Sequence, residues 1–285
     1  MRAYEAMDCA MNRHIIPIDS PDDPRIADYR LLKERELAEG GGKFIAEGEL
    51  VTRRLLGSDY PVESVLLAEH RVERIAPLVG PGAAIYAAPA GVVEAIIGYK
   101  FHSGVLACGR RKPPAALDDL AAAWPEEVTL VILPEVTKLD NLGSLLRVSG
   151  AFGAGAVILG PRCCDPFYRK ALRVSMGAVF SLSLYRSVDL AGDLARLRQR
   201  WSVELVATVL DEDAQPLHEV RRVRRVGLLL GNEGFGLRLG EVELCDRKVR
   251  IPMKLGTDSL NVAAAAAVFL YHFTRLADGR TGSSQ

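Results

Sequence analysis

Polar side chains and glycines are grouped at three places in the second half of the chain, each after an apolar run. The first group is Asn141-Leu-Gly-Ser-Leu-Leu-Arg147, the second is Gly231-Asn-Glu-Gly-Phe-Gly236, and the third is Asp258-Ser-Leu-Asn261. Amide, hydroxyl, carboxylate and guanidinium groups can together bind a polar ligand, orient a hydroxyl and take its proton. Ligands of open α/β sheets bind beyond the carboxyl ends of the strands, so we expect the three groups to meet at one ligand site.

Some of these side chains have a purely structural interpretation. Asp258 or Ser259 would serve as a helix N-cap, where the side chain only satisfies the backbone. Asn261 is expected in the first turn of a mostly apolar helix, where a polar side chain needs a partner. Glu233 lies in a glycine-rich turn after an apolar strand, which is not typical of a core residue. Asn261 and Glu233 therefore indicate function more strongly than Ser259 does.

The glycine spacing of the second group argues against two common nucleotide sites. Gly231-x-x-Gly234-x-Gly236 inverts the order of the dinucleotide fingerprint, and no acidic residue follows at the expected distance. The sequence also lacks the Gly-Lys-Ser/Thr of a phosphate-binding loop. A nicotinamide-dependent oxidoreductase on an open α/β sheet remains one alternative for the class of enzyme. A cofactor-binding screen would test it.

The elements that must position these groups alternate between strands and helices. The strands are nearly all apolar, which is typical of a parallel sheet covered on both faces. We predict strands at Val128–Leu133, Ala156–Leu159, Glu204–Leu210, Val226–Leu230 and Val249–Met253, and helices at Leu142–Phe152, Pro166–Gly177, Leu190–Trp201 and Ser259–Leu276.

The last predicted helix is apolar on almost every face, with alanine at each position from Ala263 to Ala267. Such a helix must be buried on several sides. Packing within its own domain would bury it, and so would the interface of a homodimer.

The first half predicts a smaller α/β domain over residues 26–112. An extended leader with three prolines, residues 1–25, comes before it, and Gly40-Gly41-Gly42 breaks the chain after a charged helical segment, Asp28–Leu37. A strand at Lys43–Gly48, a helix at Leu50–Leu56 and a strand at Val62–Leu67 follow. Further elements lead to a last strand at Gly104–Cys108. A Pro- and Ala-rich linker, residues 113–126, then joins this domain to residues 127–285.

The composition is that of an ordinary globular protein. Of the 285 residues, 49% are hydrophobic and 25% are charged, which suffices for two domains. The formal net charge of +0 argues against a protein that coats nucleic acid indiscriminately, although local basic clusters matter more than the sum. Such clusters occur at Arg53-Arg54, Arg110-Arg111-Lys112, Arg169-Lys170 with Arg173, and Arg221-Arg222 with Arg224-Arg225.

The cysteines and the ends of the chain indicate a soluble, cytoplasmic protein. The five cysteines, Cys163-Cys164 among them, form no C-x-x-C pair and have no histidine at zinc spacing, so we expect no metal. The first residues lack the apolar core of a signal peptide. The most apolar C-terminal run, Val262–Tyr271, is too short to cross a bilayer, so we expect no membrane contact.

The three groups resemble, in order and spacing, the three motifs of the SpoU (TrmH) RNA 2′-O-ribose methyltransferases. The resemblance covers roughly residues 128–273. The first half is similar to the L30e-like RNA-binding domain of many family members, through Arg35 and Phe44-Ile45-x-Glu47-Gly48. The matching motifs are Asn141-x-Gly143-x-x-x-Arg147, Leu230-Gly231-Asn232-Glu233-Gly234-x-Gly236-Leu237, and Ile251-Pro252-Met253 with Ser259-Leu260-Asn261-Val262.

This resemblance implies a SPOUT fold, a parallel α/β sheet with a C-terminal deep trefoil knot that binds S-adenosyl-L-methionine, in a homodimer. It implies methyl transfer to a ribose 2′-hydroxyl of structured RNA, and the extra N-terminal domain favours ribosomal over transfer RNA. The catalytic residues it implies are Asn141, Arg147, Glu233, Ser259 and Asn261. The cofactor-binding residues it implies are Thr208, Leu230, Gly231, Asn232, Gly234, Ile251, Met253 and Leu260.

One departure from the family pattern precedes the first motif. The family often has Asp-Pro where this chain has Lys138-Leu139, so the entrance of the site is expected to differ. This bears on the class of RNA substrate more than on the chemistry.

The family assigns the equivalent of Arg147 as a general base, but a guanidinium rarely loses its proton. We instead expect Arg147, in its own subunit's site or across a dimer, to hold the phosphate beside the target ribose and to stabilise the developing oxyanion. Glu233 and Asn141 would then fix Arg147 or a water molecule. A non-catalytic RNA-binding relative is a second alternative, and the complete set of motif residues argues against it. We also expect RNA binding to weaken steeply with salt.

Overall fold

A computed structural model describes residues 14–30, 42–98, 103–254 and 259–276. The chain divides into two compact units. Unit one comprises Met1–Pro113 with Phe167–Phe180, and unit two comprises Pro114–Pro166 with Ser181–Gln285. Arg35, Gly40-Gly41 and Asp258, and with them most of the predicted leader and of the charged helical segment, lie outside the described residues.

Unit one contains a mixed sheet with the strand order β1-β4-β3-β5-β2. Strands β1, β3 and β4 are parallel, whereas β5 runs antiparallel to both β2 and β3. The strands are β1 (Ile15–Pro17), β2 (Lys43–Glu47), β3 (Val62–Ala68), β4 (Ala84–Ala88) and β5 (Val105–Arg110). The helices are α1 (Ala27–Arg30), α2 (Glu49–Leu56), α3 (Val72–Ile75), α4 (Ala90–Ile97) and, later in the chain, α7 (Arg169–Val174).

Two segments of unit one differ from the predicted domain boundaries. Ile15 and Ile18, predicted in the leader, are buried, and β1 pairs with β4. Phe167–Phe180, predicted in the second domain, clusters with unit one because its aromatic rings pack there. The rings of Phe167 and Phe180 lie 5.1 Å and 5.6 Å from that of Phe44. Apolar contact, rather than position in the sequence, thus determines where these segments belong.

Unit two contains a seven-stranded sheet in which every pair of neighbouring strands is parallel, as predicted. The strand order is β10-β12-β9-β11-β6-β7-β8. The strands are β6 (Val128–Leu133), β7 (Ala156–Leu159), β8 (Leu184–Arg186), β9 (Glu204–Thr208), β10 (Gln215–Pro216), β11 (Arg225–Leu229) and β12 (Arg247–Arg250).

The helices of unit two cover the sheet and pack on one another. Helices α6 and α10 are in contact. The helices are α5 (Leu117–Ala122), α6 (Leu139–Ala151), α8 (Leu190–Trp201), α9 (Leu239–Glu243) and α10 (Val262–Tyr271), and α10 continues into a π-helical turn, His272–Leu276. Leu117, Ala121 and Trp124, predicted to belong to a linker, are part of the core of unit two.

Several element boundaries differ from the predicted ones by a few residues, and three of these differences have a local reason. Strand β12 was placed at Val249–Met253, but it ends at Arg250, and Pro252 cannot donate a ladder hydrogen bond. The helix placed at Pro166–Gly177 ends at Val174, because Met176 and Gly177 have φ of 55° and 78°. Helix α10 begins at Val262 rather than Ser259, because Asn261 is its N-cap and accepts a 2.9 Å hydrogen bond from the Ala263 amide.

None of the helices in the described part of the chain is long and apolar enough to span a membrane.

Candidate functional site

A cavity of about 600 Å³ opens in unit two where three parallel strands end. Thr208 is the last residue of β9, Leu230 follows β11 and Ile251 follows β12, and all three line the cavity. This is the edge of a parallel sheet at which ligands bind, and the volume suits a small organic molecule.

The structure brings nearly all of the expected site residues to this cavity. All eight expected cofactor-binding residues line it: Thr208, Leu230, Gly231, Asn232, Gly234, Ile251, Met253 and Leu260. Four of the five expected catalytic residues do so as well: Asn141, Glu233, Ser259 and Asn261. Lys138 and Leu237, which the sequence analysis named without assigning them to the site, also line the cavity. Sequence reasoning missed further lining residues that are apolar: Val209, Leu210, Phe235, Ala265 and Phe269.

A chain of hydrogen bonds joins the three sequence motifs at the cavity wall. Asn141 Nδ2 donates to Glu233 Oε1 at 2.7 Å, and Asn261 Nδ2 donates to Asn141 Oδ1 at 3.1 Å. Asn261 Oδ1 accepts from the Ala263 amide at the start of α10. The amide of Asn141 therefore acts as donor and acceptor at once, and it fixes the orientation of the Glu233 carboxylate relative to α10.

The turn after β11 is held in shape by its own hydrogen bonds. The backbones of Asn232 and Gly236 exchange two 2.9 Å hydrogen bonds, and the Asn232 side chain accepts from the Gly234 amide at 2.8 Å. A Cβ on Gly231 would overlap the carbonyl carbon of Gly236 and lie 2.5 Å from the Leu237 amide nitrogen. Gly231 is therefore required for the close approach of two backbone segments.

The lining chemistry fits S-adenosylmethionine. Leu230, Ile251 and Leu260 offer apolar surface suited to a purine ring, and the Glu233 carboxylate offers negative charge suited to a sulfonium cation. Thr208 lines the cavity, but its hydroxyl donates to the Leu229 carbonyl at 2.8 Å. The Thr208 proton is thus engaged by the backbone, and this residue has a supporting position.

Arg147 is the one expected catalytic residue that does not line the cavity. It follows Asn141 by six residues on α6, so it lies about 9 Å further along the axis and about 120° around it. Arg147 is exposed and makes no hydrogen bond or ion pair with any residue that the structure describes. Arg147 therefore lies on the surface of the molecule and is not part of the wall of this cavity.

A set of paired charges stands beside the turn that carries Glu233. Glu135 accepts hydrogen bonds from Arg162 and Arg238, and these lower the pKa of its carboxyl. The Arg238 guanidinium lies over the ring of Phe235, 5.0 Å from its centroid, and Phe235 lines the cavity. These residues were not identified from the sequence, because arginine and glutamate in loops usually form solvated surface.

In unit one, the side chains of Asp28, Glu63 and Cys108 lie close enough together to hold a metal ion. The Lys43 ammonium, however, lies 2.8 Å from Asp28 Oδ2 and 2.9 Å from Glu63 Oε2. It supplies the positive charge that the two carboxylates need, and together they raise the pKa of Lys43. Burial raises the pKa of the Cys108 thiol to about 12, which keeps it protonated. The cluster is therefore explained as an ion-paired network.

The comparison of sequences matches the profile of the SpoU rRNA methylase family to residues 128–271. An uncharacterized tRNA/rRNA methyltransferase of Mycobacterium bovis is 37% identical over 263 residues, which cover 90% of each chain. The 23S rRNA (guanosine-2′-O-)-methyltransferase RlmB of Acinetobacter baylyi is 31% identical over 210 residues, which cover 73% of this chain and 85% of RlmB.

The fold also matches solved structures. The AdoMet-bound rRNA methyltransferase of Sinorhizobium meliloti superposes with a TM-score of 0.78 at 28% identity, covering 92% of this chain and 98% of the other. The match extends over both units, well beyond the segment that the family profile covers.

Proposed function

The chain belongs to the SpoU rRNA methylase family and is an S-adenosylmethionine-dependent RNA 2′-O-methyltransferase, and we propose that its substrate is a guanosine of 23S ribosomal RNA. The observation that carries the assignment of the site is the hydrogen-bond chain Glu233–Asn141–Asn261 at the cavity wall. The relatives named for guanosine in 23S rRNA support the choice of RNA.

The family's deep trefoil knot belongs to the same proposal. The position of β12, which comes last among the described strands yet inserts between β9 and β10, supports it.

S-adenosylmethionine supplies a methyl group already activated on a sulfonium, so the protein has to position a hydroxyl and accept its proton. Positioning alone contributes up to roughly 7–11 kcal/mol in favourable cases. Asn141 donates to Glu233 Oε1 and leaves the second carboxylate oxygen without a partner among the described residues. That oxygen accepts the proton of the ribose 2′-hydroxyl, directly or through one water molecule. Ser259 is exposed at the cavity edge, and its hydroxyl donates to a polar group of the cofactor or of the RNA.

The active form in this proposal is a homodimer whose interface covers α10. Ala264, Val268 and Tyr271 form an exposed apolar stripe along that helix, with Val268 43% and Tyr271 48% exposed. Their spacing puts them on one helix face. The ring of Phe152, which follows α6, packs against Tyr271 at 6.2 Å, so the stripe continues towards the helix that carries Arg147. A second copy seated there would bury the stripe and bring Arg147 of one protomer to the cavity of the other.

Arg147 then holds the phosphate next to the target ribose and stabilises charge that develops on the 2′-oxygen. A guanidinium presents a planar fork that fits a phosphate in a bidentate manner, which an ammonium does not. The exposure of Arg147 and its position away from the cavity of its own protomer support this role.

The L30e-like region in unit one is proposed to supply most of the RNA affinity. Cations there lie over aromatic rings, with Lys112 Nζ 4.4 Å from the centroid of Tyr60 and the Arg111 guanidinium 5.0 Å from that of Phe167. Flat rings and cations together suit unstacked bases and phosphates. The domain boundaries in this proposal follow the two compact units, so residues 114–126 belong to unit two and Phe167–Phe180 belongs to unit one. A cytoplasmic location is part of the proposal, supported by free thiols at all four described cysteines.

The test is transfer of labelled methyl from S-adenosylmethionine to unmodified 23S ribosomal RNA, 16S ribosomal RNA and transfer RNA in parallel. The label should enter 23S rRNA, at one ribose, and 2′-O-methyl mapping should place it on a guanosine. Label in transfer RNA alone would overturn the proposed substrate, and no label in any RNA, with the cofactor bound, would favour the non-catalytic alternative. An affinity for RNA that does not fall between low and high salt would contradict the proposed phosphate contacts.

A further inference from the structure

The side chain of Phe235 projects from the turn that also carries Glu233. It lines the cavity, yet it is 53% exposed. Burial of a phenylalanine side chain stabilises a protein by about 1.5–3 kcal/mol, and this position forgoes much of that gain. The turn itself is fixed by the paired backbone hydrogen bonds between Asn232 and Gly236. The ring is thus held at the cavity mouth by a rigid turn rather than left on a loose loop.

A second flat group lies against this ring and is held in place by other residues. The Arg238 guanidinium covers Phe235 at 5.0 Å, and Arg238 Nη2 donates to Glu135 Oε2 at 2.8 Å. Glu135 also accepts from Arg162, and Arg162 lies 3.5 Å from Glu241. Each arginine therefore has a carboxylate partner, and the rotamer of Arg238 is restrained before any ligand arrives.

The charge balance of this set decides which ligand it suits. Arg162 and Arg238 are offset by Glu135 and Glu241, so the surface carries little net charge with which to attract a phosphate. A flat aromatic ring beside a fixed guanidinium is instead the kind of surface on which nucleobases stack. Phe235 is two residues from Glu233, so a base stacked on it would belong to the nucleotide whose ribose reaches Glu233.

We propose that Phe235, braced by Arg238 and Glu135, is the stacking surface for the base of the nucleotide that is methylated. Phe235 contacts the substrate base directly, whereas Arg238 and Glu135 act as positioning residues. The inference rests on the proposed function, since it assumes an RNA substrate at this cavity. It adds a base-binding position that lies outside the hydrogen-bonded motif residues.

The first test compares Phe235→Ala, Phe235→Trp and a control, Leu239→Ala, whose apolar side chain is 74% exposed on the neighbouring helix and does not line the cavity. Stacking of one base accounts for about a ten- to hundredfold effect on affinity. Phe235→Ala should therefore raise the KM for RNA and lower kcat/KM by about that factor. Leu239→Ala should stay close to the wild type, and Phe235→Trp, which keeps a flat ring, should lose less than Phe235→Ala. The affinity for S-adenosylmethionine should not fall selectively in any of the three. Arg238→Ala should show a smaller loss than Phe235→Ala.

The second test removes the base and keeps the ribose. RNA with an abasic residue at the ribose mapped for the wild type should lose the same factor with the wild-type enzyme, and Phe235→Ala should lose nothing further on it. Binding of both RNAs in the presence of S-adenosylhomocysteine gives a readout that does not depend on methyl transfer. If the wild type methylates no RNA, the proposed function fails, whereas this inference is then judged on the ratio of RNA affinities between Phe235→Ala and the wild type in the presence of S-adenosylhomocysteine.

Three results would overturn the inference. Equal RNA kinetics for Phe235→Ala and the wild type would show that no base stacks there. A selective loss of S-adenosylmethionine affinity would assign Phe235 to the cofactor, and dissociation of the protein into monomers would assign it to a subunit interface. An equal further loss of Phe235→Ala on the abasic RNA would place the ring against some other part of the substrate.

Discussion

Asn141 and Glu233, 92 residues apart in the sequence, are joined by a 2.7 Å hydrogen bond from the amide nitrogen to a carboxylate oxygen. The other end of the Asn141 amide accepts from Asn261. Asn141 thus has a fixed amide orientation, and Glu233 has one oxygen directed to the protein and a second without a partner among the described residues. The meeting of the three motif segments depends on these three side chains, and in the proposed mechanism so does the chemistry at the 2′-hydroxyl.

Glu233→Gln should separate the charge of this side chain from its hydrogen bond. The glutamine oxygen can still accept from Asn141, so the fold and the affinity for S-adenosylhomocysteine, whose sulfur carries no charge, should be retained. The proton acceptor is lost, and kcat should fall by about 100-fold or more. Single-turnover methyl transfer measures the rate, and calorimetry measures cofactor binding. Wild-type kcat in this variant would remove Glu233 from the proton transfer.

Asn141→Asp should change the pH dependence of the reaction. It would place a second carboxylate against Glu233, and like charges at hydrogen-bonding distance raise the pKa of one member of the pair. The pair of carboxyl groups takes up its first proton at a higher pH than a lone carboxyl does, so the acidic limb of the kcat profile should move to higher pH. Asn141→Ala is the control, because it loses the hydrogen bonds without adding charge. An unmoved limb in Asn141→Asp would contradict the coupling.

The sequence predicted the sheet of unit two well, because its strands are buried on both faces and appear as apolar runs. It also predicted that the three motifs would meet at one edge of this sheet, and all the predicted site residues except Arg147 line the cavity there. It missed β8 (Leu184–Arg186) and α9 (Leu239–Glu243), which are too short to show a period. It missed Phe235 and Arg238, since only the fold brings a ring and a guanidinium together beside a cavity. The sequence analysis did not place Arg147 away from the cavity, because that position follows from the helical rotation between residues 141 and 147.

Gly231→Ala should destabilise the protein and disrupt the cofactor site together. The added Cβ would meet the backbone of Gly236 and Leu237, which no change of rotamer can relieve. We expect a cost of about 1–3 kcal/mol, seen as a lower Tm, and weaker binding of S-adenosylmethionine. Gly240→Ala, in α9 with no atom within 4 Å of its added Cβ, is the matched control and should be neutral or slightly stabilising. Equal melting temperatures for the two variants would show that the backbone approach at Gly231 is not tight in solution.

Val268→Lys should dissociate the proposed homodimer. It places a charge in the middle of the exposed stripe on α10, where burial against a second copy would leave the charge unpaired. Sedimentation equilibrium should show a monomer for this variant and a dimer for the wild type. Val188→Lys is the control, since Val188 is 89% exposed and lies outside α10. A dimer that survives Val268→Lys would exclude this face as the interface.

Mixed dimers should reveal in which subunit Arg147 acts. Arg147→Ala and Glu233→Gln are each expected to be inactive as homodimers. In a heterodimer of the two, action across the interface gives one cavity with both wild-type residues and one with neither. Random mixing should then restore roughly a quarter of all sites, whereas action within one subunit would restore none. Arg147→Lys completes the test, because a lysine that keeps most of the wild-type kcat would show that the bidentate guanidinium is not what the reaction requires.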